Sequence, residues 1–206
     1  IFNDTNNSDK SDIHFAQANI YHREKNYEQS SISLLKANKI KLSLYPSDLS
    51  NLINDSKRLN IQSKNIQYIK ENNFCHPEYI FIVGMPRCGS TLLESILSMN
   101  INVVDLGEIN ILEEAFHKWD NLKCHSDTTS LGKLYSERVN RLINKSAITT
   151  NKLLYNYQYA GIIASQIPTS KIIHCYRHPL DNILSIFRTN FARGNRYTSS
   201  LNDCAI

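Results

Sequence analysis

The chain has 206 residues, of which 41% are hydrophobic, and its 23 Lys and Arg against 19 Asp and Glu give a net charge of +4. This length suits one or two folded domains with a real core, and no apolar run approaches the roughly 18 residues that a membrane-spanning helix needs. So small a positive charge excludes a general nucleic-acid binder, but it does not exclude a protein that binds an anionic small molecule.

The cysteines bear on the redox environment and on metal binding. Five widely spaced cysteines without a CxxC pair predict neither a disulfide framework nor a zinc site, and they fit a reducing cytoplasm. His117, Cys124 and His125 could supply metal ligands, but no second pair stands at ligand spacing, so we interpret them as surface residues and expect no metal. The chain begins at Ile1 without a signal peptide, and we expect it to be a fragment truncated at both ends.

The first part of the chain contains no glycine before residue 84 and is predicted to be helical. After a polar segment over residues 1–12, apolar residues recur at helical spacing over 13–21 and 27–40, which predicts a helical hairpin. A third helix is predicted from Pro46 to about Ile69, followed by a linker over residues 71–78. Five residues of the hairpin fit the 34-residue tetratricopeptide pattern, and any amphipathic helical pair fits about as well: Ala18, Tyr21, Tyr27, Leu34 and Ala37, with Ser30 where alanine is usual.

From Tyr79 onward the pattern changes to short apolar strands that alternate with helices. Strands are predicted at residues 79–83, 101–105, 147–150 and 171–176. Helices are predicted at residues 91–98, 108–119, 131–143, 157–166 and 180–192. This alternation predicts an α/β domain with a parallel sheet flanked by helices, whose ligands bind at the carboxyl ends of the strands. We therefore expect a helical domain over residues 1–72 and an α/β domain over residues 73–206.

A phosphate-binding loop is predicted where the first strand ends. Gly84 and Gly89 have the GxxxxG spacing of such a loop between a strand and a helix that begins at Ser90. Nucleotide kinases and ATPases carry lysine at the position of Ser90, whereas here the cationic residue is Arg87, within the loop. The pattern therefore argues against ordinary nucleoside triphosphate hydrolysis and suits a donor of lower charge that needs no metal. A glycine turn with a purely structural role is the alternative.

A second anion site is predicted near the end of the chain. Arg177 follows the strand over residues 171–176, and Pro179 suits the first turn of the next helix. Ser185 lies about two turns into that helix, so one phosphate could contact both Arg177 and Ser185. The competing interpretation is a salt bridge from Arg177 to Asp181.

The segments PRCGSTLLE and RHPLDNILS, each after a buried strand, resemble the two phosphosulfate-binding motifs of sulfotransferases. With the helical unit in front, the chain is similar to the bacterial tetratricopeptide-repeat sulfotransferases, relatives of tyrosylprotein sulfotransferase. The resemblance covers most of the chain from Ile13 and implies a sulfotransferase fold and the co-substrate 3′-phosphoadenosine 5′-phosphosulfate (PAPS).

The resemblance also assigns the binding residues. It implies that Arg177 and Ser185 hold the 3′-phosphate. Cys88 departs from the serine that is usual in the family and loses a good hydrogen-bond donor. The residues that the resemblance places around the 5′-phosphosulfate are Arg87, Cys88, Gly89, Ser90, Thr91 and Leu92.

Sulfuryl transfer needs a base at the acceptor and positive charge at the leaving phosphate. Glu108 follows the strand that ends near Asp105, which brings a carboxylate to the same edge of the sheet as the loop. In the family the base is the glutamate of a Gly-Glu pair about this far beyond the loop arginine, and here Glu108 lies 21 residues after Arg87. A glutamate in the first turn of a helix is the alternative. Lys152 is assigned to the leaving group, together with Arg87, mainly by the resemblance, because an exposed loop lysine would otherwise be expected.

The sequence therefore predicts a PAPS-dependent sulfotransferase in which Glu108, Arg87 and Lys152 are catalytic. Two alternatives stay open: a nucleotide kinase, and an interaction protein whose helical repeat binds a protein partner while the α/β domain is inactive. The acceptor could be a protein tyrosine, a carbohydrate hydroxyl or a small alcohol, since each needs the same base. The helical repeat offers a surface for a protein partner, whereas nucleic acid and membrane are not expected partners.

Overall fold

A computed structural model describes residues 7–69, 78–123, 129–143, 147–191 and 194–206. Most of the predicted linker, the predicted domain boundary at residues 72 and 73, and both Cys124 and His125 lie outside the described residues, and the boundary stays a prediction. The chain forms two compact units, Ile1–Asn54 with His178–Ile206, and Asp55–Arg177.

In chain order the elements are α1 (Asn7–Arg23), α2 (Tyr27–Leu44), α3 (Leu49–Lys64), β1 (Tyr79–Gly84), α4 (Ser90–Leu97), β2 (Val103–Asp105), α5 (Ile111–Lys123), α6 (Leu131–Val139), β3 (Ile148–Asn151), α7 (Ala160–Gln166), β4 (Ser170–Cys175), α8 (Pro179–Phe187) and α9 (Leu201–Cys204). Two 3-10 helices, Leu154–Tyr159 and Arg196–Ser199, precede α7 and α9. Among the described residues no helix is both long enough and apolar enough to cross a membrane.

The predicted helical hairpin is confirmed by α1 and α2, although its first helix starts earlier than expected. We expected residues 1–12 to be frayed, whereas α1 begins at Asn7. Ser11 explains part of this difference, because its buried hydroxyl donates a hydrogen bond of 3.1 Å to the carbonyl of Ala37 on α2. A polar residue that bonds across the hairpin thus extends the helix beyond its apolar pattern.

Small and apolar side chains pack between α1 and α2. The buried cluster of the first unit consists of Phe15, Ala18, Leu34, Ala37 and Phe187. Ser30, which occupies a position where the repeat pattern prefers alanine, is also buried, and its hydroxyl donates to the carbonyl of Ala18 at 2.7 Å. The helices therefore approach closely at Ser30 without leaving its hydroxyl unsatisfied. The likeness to a tetratricopeptide repeat stays a prediction.

Residues from the end of the chain complete the first unit. Helix α8 ends at Phe187, before the expected end at residue 192, and Phe187 packs into the cluster of the hairpin. The buried Asn38 amide donates to the carbonyls of Leu34 at 3.1 Å and of Phe187 at 3.0 Å. Lys41 of α2 donates to Asn190 Oδ1 at 2.6 Å. The segment after α8 is therefore tied to α2 by side-chain hydrogen bonds.

The second unit contains a four-stranded parallel sheet with the strand order β2-β3-β1-β4. This confirms the predicted α/β architecture, and each of the four predicted strands lies within two residues of its expected bounds. The strand β1 is central and almost wholly buried, as its continuous apolar run predicts. A core of apolar side chains fills the space between the sheet and its helices, with Phe81, Leu112, Phe116, Tyr135 and Ile162 among its most buried members.

Candidate functional site

The candidate residues of the second unit follow the carboxyl ends of its strands. Glu108 follows β2, Lys152 follows β3, the loop with Arg87 follows β1, and Arg177 follows β4. Since all four strands are parallel, these ends share one edge of the sheet, in the spatial order given. This is the edge at which ligands bind in open α/β sheets.

The loop between β1 and α4 has a backbone that requires both of its glycines. A Cβ at Gly84 would lie 2.3 Å from the carbonyl oxygen of Cys175 on β4, so only glycine fits there. Gly89 has a φ of 98°, with open space where a side chain would stand. Arg87 also has a positive φ, 68°, which is uncommon for a residue with a side chain. The backbone is therefore a tight turn that needs both glycines, as their spacing predicts, while phosphate binding at this turn stays a prediction.

The residues assigned to the 5′-phosphosulfate lie in the loop and in the first turn of α4. Arg87 and Gly89 are exposed, and α4 begins at Ser90, which is buried. Thr91 and Leu92 occupy the next two helical positions and are exposed. The helix therefore begins where the loop motif predicts, and the free N–H groups of its first turn directly follow the loop.

The side chain of Cys88 lies beside Cys175, the last residue of β4. Its Sγ lies 3.2 Å from the position that a Cβ on Gly84 would take, and it is half-buried. Burial, and to a smaller extent the neighbouring Cys88 thiol, raises the pKa of the Cys175 thiol. The thiols of Cys88 and Cys175 are therefore neighbours.

Glu108 and Lys152 form a direct pair. The ammonium of Lys152 donates to Glu108 Oε1 at 2.6 Å, and the lysine side chain is 8% exposed, whereas the glutamate side chain is 63% exposed. The interpretation of Lys152 as an exposed loop residue is therefore wrong. The expected helix start at Glu108 is also wrong, because α5 begins at Ile111 and Glu108 stands in the preceding turn.

Backbone and side-chain bonds from the end of β3 explain why that turn is not helical. The N–H of Lys152 donates to the carbonyl of Gly107 at 2.8 Å. The buried side chain of Asn151 donates to the carbonyl of Ile109 at 3.3 Å and to the Tyr135 hydroxyl at 3.4 Å. These bonds occupy the carbonyls on either side of Glu108, so its position is fixed relative to Lys152 by the strand that precedes Lys152.

The structure adds Glu94, to which the sequence analysis gave no role. Its carboxyl group is buried beside the end of β3, with Oε1 2.8 Å from the Thr150 hydroxyl, which donates to it, and Oε2 3.9 Å from Lys152 Nζ. The burial observed on α4 is the reverse of what its sequence pattern indicates, because Glu94 is 5% exposed whereas Leu92 is 67% and Ile96 is 54% exposed. Periodicity alone assigns leucine and isoleucine inward and glutamate outward.

Arg177 and Ser185 lie in different units, so their joint contact with a 3′-phosphate stays a prediction. Arg177 is exposed two residues after β4, and Ser185 is half-buried in α8, whose first turn contains Pro179 as predicted. In the described part of the chain, no group of three or more His, Cys, Asp or Glu side chains could hold a metal ion. His117, whose imidazole was considered above as a metal ligand, lies on α5 with its Nε2 3.7 Å from Glu113 Oε1.

Comparison with known proteins bears on this arrangement. A sequence model described as the sulfotransferase family matches residues 77–205. The chain is also similar to an uncharacterized protein of Aquifex aeolicus (strain VF5), with 32% identity over 130 residues, covering 55% of this chain and 17% of that relative. The chain thus aligns with less than a fifth of the length of that relative. No solved structure matches the chain significantly.

Proposed function

This chain belongs to the sulfotransferase family, and from that premise we propose that it transfers a sulfuryl group from PAPS to an acceptor hydroxyl. The single observation that carries the proposal is the pairing of Glu108 with Lys152 at 2.6 Å, at the sheet edge that also carries the phosphate-type loop. A carboxylate and an ammonium group beside an anion-binding loop are the two charges that this transfer needs.

The proposed reaction uses the carboxylate as a base. Glu108 takes the proton of the acceptor hydroxyl, and the acceptor oxygen forms a bond to sulfur. The bond from sulfur to the bridging oxygen of the phosphate breaks, and adenosine 3′,5′-bisphosphate leaves with the electron pair. Lys152 and Arg87 stabilise the negative charge that develops on that oxygen. The exposure of the Glu108 side chain supports its role, because a base must reach an acceptor that arrives from solvent.

Donor binding is proposed at the loop and at the end of β4. The backbone from Arg87 to Ser90, with Thr91 and Leu92, surrounds the 5′-phosphosulfate, and Cys88 gives a weaker contact than serine would. Arg177 and Ser185 are proposed to bind the 3′-phosphate, a proposal that rests on the RHPLDNILS motif. The low charge of the sulfuryl group fits a loop with arginine inside it and no lysine after Gly89.

The helical hairpin is proposed to be a tetratricopeptide-like unit that offers a surface to a protein partner, in a bacterial protein of the cytoplasm. Its support is the close approach of α1 and α2 at buried small residues, Ala18, Ser30 and Ala37. The widely spaced cysteines support a reducing compartment. The acceptor is proposed only as a hydroxyl, of protein tyrosine, carbohydrate or a small alcohol.

Calorimetry tests the donor assignment without knowledge of the acceptor. We expect adenosine 3′,5′-bisphosphate to bind in the absence of Mg²⁺ and more tightly than ATP does. Arg87→Ala should weaken this binding, and Lys118→Ala on α5 is the matched removal of a cation outside the site. Equal or Mg²⁺-dependent affinity for ATP would overturn the donor assignment and favour a nucleotide kinase. Labelled PAPS offered with a tyrosine peptide, an oligosaccharide and a small alcohol then identifies the acceptor class.

A further inference from the structure

Glu94 is a buried carboxyl group that the proposed reaction leaves without a role. It lies on α4 one helical turn after Ser90, and both side chains are on the buried face of that helix. An ionisable group is rarely buried unless a specific partner compensates for the loss of water. The partners here are the Thr150 hydroxyl and, at ion-pair distance, the ammonium group of Lys152.

Lys152 therefore lies between two carboxyl groups of different character. The glutamate at 2.6 Å, Glu108, has a side chain that is 63% exposed, while the glutamate at 3.9 Å, Glu94, has a side chain that is 6% exposed. Lys152 itself is 8% exposed. One carboxyl group thus meets the lysine from the solvent side and the other from the protein interior.

The proposed reaction requires that the Lys152–Glu108 contact be broken. A carboxylate that is hydrogen-bonded to an ammonium group is a poorer base, because the same oxygen has to accept the acceptor proton. If Lys152 turned from Glu108 to the leaving phosphate with no other partner, it would pass through the state of an uncompensated buried cation, which is costly. A second, fixed carboxyl group removes that cost.

We infer that Glu94 is a positioning residue, whose buried carboxyl group holds Lys152 while Glu108 is released to act as the base. The Thr150 hydroxyl orients the carboxyl group, since Thr150 and Lys152 are two residues apart and share one face of the chain at the end of β3. This inference rests on the proposed function for the identity of the reaction. The contact between Glu94 and Lys152 does not depend on it.

A purely structural role for Glu94 makes a different prediction. In that case the Thr150 hydrogen bond would only join α4 to β3, and loss of the carboxylate would lower stability in the same way whether or not Lys152 is present. The two roles are therefore separated by a double-mutant cycle, in which Glu94→Gln is made both in the parent chain and in Lys152→Met. Glutamine keeps the shape and the acceptor oxygen for Thr150 but removes the carboxylate.

The first measurement is the rate of labelled sulfuryl transfer from PAPS to a tyrosine peptide or to 4-nitrophenol. In the parent chain we expect Glu94→Gln to lower kcat by roughly 10- to 100-fold, while the KM for PAPS changes less than about threefold. In Lys152→Met the same substitution should change kcat less than about twofold. Thr150→Val should lower kcat by a smaller factor, and Thr149→Val, on the opposite face of β3, should leave it unchanged.

The second measurement is the unfolding equilibrium of the four proteins of the cycle: the parent chain, Glu94→Gln, Lys152→Met and the double variant. It needs no substrate. We expect Glu94 and Lys152 to be coupled by roughly tenfold or more in the unfolding constant. An equal effect of Glu94→Gln on kcat in both backgrounds, an unchanged kcat, or coupling below about twofold would overturn the inference. Failure of the parent chain to bind adenosine 3′,5′-bisphosphate would instead overturn the proposed function, and the unfolding cycle would still judge the Glu94–Lys152 contact.

Discussion

The ammonium group of Lys152 and the carboxylate of Glu108 lie 2.6 Å apart, although the lysine side chain is buried and that of the glutamate is mostly exposed. Two positions 44 residues apart in sequence meet because each follows a parallel strand and because the backbone of Lys152 bonds to Gly107. The pair is thus built into the sheet edge by strand pairing and by this backbone bond.

We expect Glu108→Gln to lower kcat for sulfuryl transfer by about 10²- to 10⁴-fold, the usual contribution of a general base. The amide cannot accept the acceptor proton, but it leaves the phosphate loop intact. Calorimetry should therefore show that the Kd for adenosine 3′,5′-bisphosphate changes little. Glu113→Gln on α5 is the matched control, and turnover by Glu108→Gln at the parent rate would remove Glu108 as the base.

Cys88 gives a prediction about donor affinity. Cys88→Ser should tighten the binding of adenosine 3′,5′-bisphosphate by a few-fold, because a hydroxyl is a better donor than a thiol and a net hydrogen bond contributes about 1 kcal/mol. Cys88→Ala is the matched variant, since it removes the thiol without supplying a donor, and it should not tighten binding. Equal affinities of the serine and alanine variants, measured by calorimetry, would show that residue 88 makes no donor contact.

Adjacent threonines of β3 give a prediction about stability. The hydroxyl of Thr149 is buried and has no hydrogen-bond partner among the described residues, whereas that of Thr150 donates to Glu94 at 2.8 Å. Thr149→Val should therefore leave the free energy of unfolding unchanged or raise it by about 1 kcal/mol. Thr150→Val should lower it by roughly 1–3 kcal/mol, because a buried carboxyl group loses its donor. Denaturant unfolding measures both, and a reversed order would contradict the assignment.

Buried tyrosines predict loss of stability at alkaline pH. Burial raises the pKa of Tyr159 to about 12, and it also raises the pKa of Tyr79 and Tyr135. A raised pKa in the folded state means that this stability is fully present below the unfolded value of 10 and is lost as the pH rises toward 12. The free energy of unfolding should fall between pH 10 and 12.

The tyrosine prediction has its own control. Tyr159→Phe should make the alkaline fall less steep, whereas Tyr176→Phe, at a side chain that is 84% exposed, should not change it. Lys41 acts in the opposite direction, because burial lowers its pKa and its contribution therefore increases with pH up to about 10.5. The slope that Tyr159→Phe removes, measured against the parent chain, isolates the tyrosine contribution. No difference in slope would contradict it.

Sequence periodicity predicted the strands, the loop and the hairpin because each is a local pattern. The strand β1 is a continuous apolar run, and the loop after it has fixed glycine spacing. The start of α5 could not be predicted in this way, since it is decided by bonds from Asn151 and Lys152, more than 40 residues later in the chain. The position of Glu108 thus depends on contacts with residues distant in sequence, which a local pattern cannot reveal.

The role of Glu94 escaped prediction for a related reason. Its burial depends on a hydroxyl and an ammonium group that the end of β3 supplies, and an amphipathic helix taken alone assigns glutamate to solvent. The role of Lys152 was predicted mainly from the resemblance to a family, and the structure shows that its side chain is buried beside Glu94 and Glu108. The local motifs of the candidate site could therefore be predicted from the sequence, whereas the contacts between them depend on the order of the strands in the sheet.

The hydrogen bond from Asn38 to the carbonyl of Phe187 joins positions 149 residues apart. A ribosome would release Phe187 149 residues after Asn38, so Phe15 and Leu34 would stay partly uncovered while the residues in between are synthesised. Closing the first unit is then a late event of high contact order, which slows folding and leaves apolar surface exposed to aggregation in the meantime.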